Sequence, residues 1–214
     1  GIGTDADDIF YGWDTIDILS GGAGNDQLYA HGGDDRLDGG SGDDTLSGGA
    51  GKDVLLGGTG DDLLDGGVDD DLIEGGEGND RLYGSSGHDT LIGGSGDDLL
   101  YGGNGEADTY VFAKGHGRDT VNDQTFGESL DTLRFSGAAF ADAVFARDGN
   151  HLLIRAYGGD DQVTLYDYFD GYNRRQYRFA FDDRTVEPAD MAGITVAGIG
   201  TDADDIFYGW DTID

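Results

Sequence analysis

Cysteine is absent, proline occurs once in 214 residues, and 12 lysines and arginines stand against 45 aspartates and glutamates. Without cysteine the chain can form neither a disulfide nor a thiolate metal site, so the redox state of its surroundings does not bear on its fold. With so little positive charge it would be repelled by nucleic acid rather than steered to it, which excludes a polyanionic partner and favours small cations. No apolar run of about 18 residues occurs, so no membrane-spanning segment is expected. The N-terminus also lacks the basic-then-apolar pattern of a signal peptide, so export would use another route.

What the chain has instead is glycine and aspartate, unevenly distributed. Residues 1–107 hold 25 acidic and 3 basic residues and 30 of the 42 glycines, against 20 acidic and 9 basic residues from Asp108 onward. A first half with this much like charge and glycine cannot by itself bury enough apolar surface to offset its chain entropy. The missing contribution is a cation. The composition shift near residue 107 marks a boundary between 1–107 and a flanking segment, 108–197. A further piece, 198–214, repeats residues 1–17 (GIGTDADDIFYGWDTID) without a change. Such an identity is not chance, and a tandem array with a period of 197 residues is expected.

From Gly3 a nine-residue register runs through eleven units without a slip. Its sixth position is always aspartate: Asp8, Asp17, Asp26, Asp35, Asp44, Asp53, Asp62, Asp71, Asp80, Asp89 and Asp98. Its eighth is always apolar, Phe10 and Ile73 among nine leucines. A period of nine with one obligatory apolar site fits neither a helix nor a long alternating strand, but it fits a short strand and a turn, stacked. The clearest units, GGAGNDQLY (21–29), GGSGDDTLS (39–47) and GGSGDDLLY (93–101), follow G-G-x-G-x-D-x-U-x. Glycines at positions 1, 2 and 4 permit backbone angles that other residues avoid, so a tight turn can aim successive carbonyls inward. A carboxylate at position 6 completes an all-oxygen shell, which suits a hard ion such as calcium rather than zinc or copper.

This pattern resembles the RTX (repeats-in-toxin) nonapeptide. The resemblance implies an all-β fold, a right-handed parallel β-roll with two repeats per turn and a β-rich cap, and calcium shared between repeats n and n+2. The loops starting at 21, 39, 57, 75 and 93 all keep glycine at positions 1, 2 and 4. Their ligands would be the position-6 aspartates and the backbone carbonyls of Gly21, Gly22, Ala23 and Gly24; Gly39, Gly40, Ser41 and Gly42; Gly57, Gly58, Thr59 and Gly60; Gly75, Gly76, Glu77 and Gly78; and Gly93, Gly94, Ser95 and Gly96. Five stacked loops enclose four sites, so at least four Ca²⁺ ions are expected on that side. A fifth, between Asp8 and Asp26, is weakened by the glycines missing from GTDADD. On the alternate side GWDTID (12–17), AHGGDD (30–35), GGVDDD (66–71) and GSSGHD (84–89) have lost glycines and only GGAGKD (48–53) is intact, so the ladder of Asp17, Asp35, Asp53, Asp71 and Asp89 is expected to be the weaker. A metal-free solenoid is disfavoured, because stacking strands about 4.8 Å apart would line up unscreened carboxylates.

Beyond Tyr101 glycine thins out and strand patterns appear at 109–113, 132–135, 152–155, 163–166 and 177–181, with 187–191 the one helical stretch. The segments at 131–169 and 177–191 are similar to the flank that follows RTX repeats in the bacterial adenylate cyclase toxin and in neisserial iron-regulated RTX proteins. That similarity implies a segment that closes the roll and promotes calcium-dependent folding.

Signatures of catalysis are missing. His31, His88, His116 and His151 are scattered without a zinc-binding H-E-x-x-H and are expected at the surface or in loops. Ser41 and Ser95 sit in glycine turns rather than in a G-x-S-x-G elbow, and EF-hand spacing does not occur. The aromatic and arginine-rich stretch 166–181 either packs the cap, with Arg174 and Arg175 in an exposed turn, or stacks on a ligand such as a sugar ring. The expected protein is a non-enzymatic calcium-binding block of a larger secreted, extracellular bacterial protein. Its partners would be calcium ions, neighbouring blocks of the parent chain and the type I secretion machinery. The parent could be a toxin, an adhesin that uses such blocks as spacers, or a protease or lipase.

Overall fold

The computed structural model describes residues 1–103, 106–122, 130–169 and 176–198. Each nonapeptide supplies half of a turn. Strands β2 (Ile18–Ala23), β4 (Arg36–Ser41), β6 (Val54–Thr59), β8 (Leu72–Glu77) and β10 (Thr90–Ser95) make one sheet. Strands β1 (Ile9–Tyr11), β3 (Gln27–Gly32), β5 (Thr45–Ala50), β7 (Leu63–Val68), β9 (Arg81–Ser86) and β11 (Leu99–Gly103) make the other. All these pairs are parallel, with the register advancing by one full turn: Leu37 faces Leu55, and Leu46 faces Leu64.

The burial pattern explains why so short a repeat folds this way. Successive strand side chains point to opposite faces, so positions 8 and 1 turn inward while 7 and 9 turn out. Position 8 carries the leucine, fully buried from Leu28 to Leu100. Position 1 is glycine, or Ala30, which leaves room between the sheets for one leucine column from each. The roll is a closed, all-β solenoid with a narrow apolar interior, as the nine-residue period predicts.

Parallel stacking runs on past the composition shift. Strands β12 (Thr109–Phe112), β14 (Leu130–Phe135) and β18 (Gln176–Phe181) extend the first sheet, and β13 (Arg118–Val121) and β17 (Gln162–Leu165) extend the second. Here position 1 is no longer glycine: Phe112, Phe135 and Phe181 stand in register one above another, with ring centroids 5.5 and 5.0 Å apart. The interior therefore widens from leucine to stacked aromatics. The direction reverses only at the end, where β16 (His151–Arg155) and β15 (Val144–Asp148) form an antiparallel hairpin on β17. Strand β19 (Thr185–Val186) pairs antiparallel with β18, and β20 (Val196–Gly198) pairs with β15.

The five expected strands of this flank are present within two residues of their predicted ends, and the helical stretch is the 3-10 turn Pro188–Gly193. Strands β13, β15, β19 and β20 carry charges, glycine or too few residues to read as strands alone. Arg174, Arg175 and residues 199–214 lie outside the described residues.

Candidate metal centres

The position-6 aspartates line the two edges of the roll where the chain passes between sheets. Asp26, Asp35, Asp44, Asp53, Asp62, Asp71, Asp80, Asp89 and Asp98 are each only 1–3% exposed. In every one, Oδ1 accepts the backbone N–H of the aspartate one turn earlier, at 2.6 to 2.9 Å. In every one, Oδ2 is buried and has no hydrogen-bond partner. Buried polar atoms are normally satisfied, and an unpaired carboxylate oxygen is among the costliest to leave alone. Two columns of such atoms, five on one edge and four on the other, call for cations.

The space beside each Oδ2 accounts for the first glycine of the motif. Gly39 has no positive φ to require glycine, yet a Cβ there would collide with Asp44 Oδ2 and lie 2.6 Å from the carbonyl oxygen of Gly57 in the next turn. The same pairing of own carboxylate and next-turn carbonyl recurs at Gly21 with Gly39, at Gly57 with Gly75 and at Gly75 with Gly93. Glycine at position 2 has the conformational reason instead, as in Gly40 with φ +106°. Among the described residues no three histidine, aspartate or glutamate side chains converge. Any cation held here is therefore coordinated mainly by backbone carbonyls with a few carboxylates, a donor set that fits calcium.

The ends of the column differ. Asp8 Oδ2 accepts the N–H (2.7 Å) and Oγ1 (2.9 Å) of Thr4, and Asp17 Oδ2 accepts the N–H of Trp13 (2.8 Å). Position 2 is not glycine in these two loops, and its N–H turns onto the loop's own carboxylate. At the other end the ladder extends beyond its expected limit. Asp108, Asp119 and Asp131 accept the N–H of Asp89, Asp98 and Asp108 at 3.0 to 3.1 Å, in the same register. His116, expected at the surface or in a loop, lies in a loop and is buried there, with Nδ1 2.7 Å from Asp119 Oδ2. His31 and His88 are exposed and His151 is half-buried.

The two edges, expected to differ in quality, have the same hydrogen bonds and the same orphan oxygens. What the lost glycines change is strain. His31, Asp69 and Ser85 stand at positions 2 or 4 of the second edge and still take φ of +76°, +81° and +77°, the left-handed region that costs a side-chain-bearing residue about 1–2 kcal/mol. No such residue occurs in loops 21–26 to 93–98 of the first edge.

Burial sets the electrostatics. Loss of solvation pushes Asp44, Asp53, Asp80 and Asp89 up to about 6, Asp62 and Asp98 to about 7 and Asp71 to about 8. The accepted backbone N–H pulls each partly back, and neighbouring carboxylates push it up again. A second, exposed ladder holds the loops from outside: Oδ1 of Asn25, Asp43, Asp61 and Asn79 each accepts the N–H of the position-5 residue one turn later.

The fold and its two edges define a parallel β-roll with a ladder of buried carboxylates along each edge. The RTX calcium-binding nonapeptide repeat family matches residues 11–46, 47–82 and 74–106. Residues 11–106 are therefore a run of RTX calcium-binding repeats. The iron-regulated protein FrpA of Neisseria meningitidis serogroup C is 43% identical over 72 residues, 33% of this chain and 6% of that much longer relative. Among solved structures, the AlgE6R3 subunit of the Azotobacter vinelandii mannuronan C5-epimerase is 26% identical over 73% of this chain and 84% of its own, with a TM-score of 0.37. The extracellular lipase LipA of Serratia marcescens is 22% identical over 77% of this chain and 37% of its own, with a TM-score of 0.27.

Proposed function

We propose that this block, a non-enzymatic structural module, folds when calcium binds between its stacked loops, and that it serves the secretion of a larger extracellular bacterial protein. The observation that carries this reading is the nine buried, unpartnered Oδ2 atoms in two columns, which no protein donor satisfies and a divalent cation would. The four places of the first edge where Asp26, Asp44, Asp62 and Asp80 meet the next-turn carbonyls of Gly39, Gly57, Gly75 and Gly93 are the first sites we assign. Asp35, Asp53, Asp71 and Asp89 supply the second edge. Calcium contributes the divalent charge that lets these carboxylates be buried and ionised together.

At the low free calcium of a cytosol the chain, with a net charge of −33, would stay extended and self-repelling, a state suited to a type I secretion channel. Outside, millimolar calcium exceeds the dissociation constants of about 10⁻⁴ to 10⁻³ M typical of extracellular modules, and binding free energy becomes folding free energy. Residues 108–197 would act as the flank that finishes the roll. The verbatim copy of 1–17 at 198–214 favours a parent in which such blocks recur, a toxin-like chain or an adhesin with repeated spacers. Calcium titration followed by far-UV circular dichroism is expected to show a cooperative coil-to-β transition. A chain already fully folded in chelator would refute the reading.

A further inference from the structure

We infer that His116 closes the first-edge column from within, its imidazole standing where the preceding turns leave a place for a cation. This rests on the calcium reading above and concerns where the ion column stops. Residues 116–119 form one more loop of the column, on three backbone criteria. The N–H of Gly96 donates to the His116 carbonyl (3.2 Å), as the N–H of Gly78 donates to the Ser95 carbonyl one turn earlier (2.9 Å). The N–H of Arg118 donates to Asp97 Oδ1, as the N–H of Asp97 does to Asn79 Oδ1, both at 3.0 Å. The N–H of Asp98 donates to Asp119 Oδ1 (3.1 Å), as the N–H of Asp80 does to Asp98 Oδ1 (2.9 Å).

With the backbone in register, one atom behaves differently. Oδ2 of Asp98 is buried and without a partner, whereas Oδ2 of Asp119 meets His116 Nδ1 at 2.7 Å. Both residues are almost fully enclosed, at 4% and 1% exposure. The rings of Phe112 and Tyr157, 5.3 and 5.7 Å away, wall in the imidazole. A nitrogen that brings its own proton meets the demand that an ion meets elsewhere, and it does so without calcium. The opposite end has the same logic with a different donor, since Asp8 Oδ2 is taken up by Thr4. The column is thus bounded by protein donors at both ends, and His116 is a positioning residue that limits the number of ions.

Native mass spectrometry of the full chain at saturating calcium counts the ions directly. H116A is expected to bind one more Ca²⁺ than the unmodified chain, and H116A/D119N to return to the original number. An H116A chain that folds and binds the unmodified number would overturn the inference. If H116A does not reach the β signal at saturating calcium, the double variant decides. Folding restored by D119N supports an imidazole that neutralises the carboxylate, and folding not restored assigns His116 to packing alone and overturns the inference. An unmodified chain that takes up no calcium removes the underlying calcium reading. Calcium uptake with an unchanged count in H116A removes only this inference.

Discussion

At Asp69 the backbone holds φ +81° in a position where the motif has glycine, and the intact loop geometry around it shows that the roll imposes this angle rather than yielding to it. Replacing Asp69 with glycine should relieve about 1 kcal/mol of that strain. The calcium midpoint measured by circular dichroism is expected to fall, and an unchanged or higher midpoint would contradict the strain argument. The buried carboxyls make a second prediction at this scale. Asp62, Asp71 and Asp98 are raised by burial to about 7, 8 and 7, so the folded, ion-free roll holds protons that the unfolded chain releases near pH 4. Their contribution to the ion-free fold is complete below the unfolded value and is lost progressively as pH rises from about 4 through the folded values of about 7 and 8. In chelator, β structure should therefore be more populated at acid pH than at pH 8. Because calcium must displace those protons, the calcium midpoint should be higher at pH 5.5 than at pH 8, and equal midpoints would contradict the raised values.

Between the strands, the aromatic column of Phe112, Phe135 and Phe181 performs in the flank what leucine performs in the roll. Phe135 is enclosed between the other two rings, and truncation to alanine should cost about 3–5 kcal/mol. The expected readout is a higher calcium midpoint with the ion count unchanged; a lost ion would mean that the column also shapes a site. The strands of the roll were legible because position 6 is always aspartate and position 8 always apolar. The rungs at Asp108, Asp119 and Asp131 were not, although each opens an Asp-Thr-apolar triplet, Asp-Thr-Tyr, Asp-Thr-Val and Asp-Thr-Leu, like those at Asp44 and Asp89. Their spacing grows from nine to ten, eleven and twelve residues as the loops lengthen, and a fixed register loses them. His116 was missed for a related reason: its role comes from sitting at position 3 of a loop that no longer scans as a repeat. Thr4 and Trp13, which occupy Asp8 and Asp17, do not follow from residue type alone, because His31 and Ser85 also replace glycine at position 2 and yet leave Oδ2 of Asp35 and Asp89 without a partner.

Across the whole molecule the two ends of the roll are unlike. The first turn shows Ile2, Tyr11, Trp13, Ile16 and Ile18 to solvent, while the far end closes in an antiparallel hairpin over an aromatic core. The position-6 hydrogen bonds between turns also have a direction, since each of those carboxylates reaches back to the backbone of the turn before it. Within that ladder a turn removed from the N-terminal end takes only N–H donors with it and every later carboxylate bond is kept, while the outer position-5 bonds and the backbone bonds to the next turn break with it. Mechanically, the roll is a stack that unzips from one side. Pulled at its N-terminus in calcium, it should give way in a sawtooth of turn-sized steps, each freeing 18 residues, or roughly 60 Å of extended chain. Optical tweezers would read those steps, and a single all-or-none rip through the roll would show that the turns are coupled more tightly than their hydrogen bonds imply.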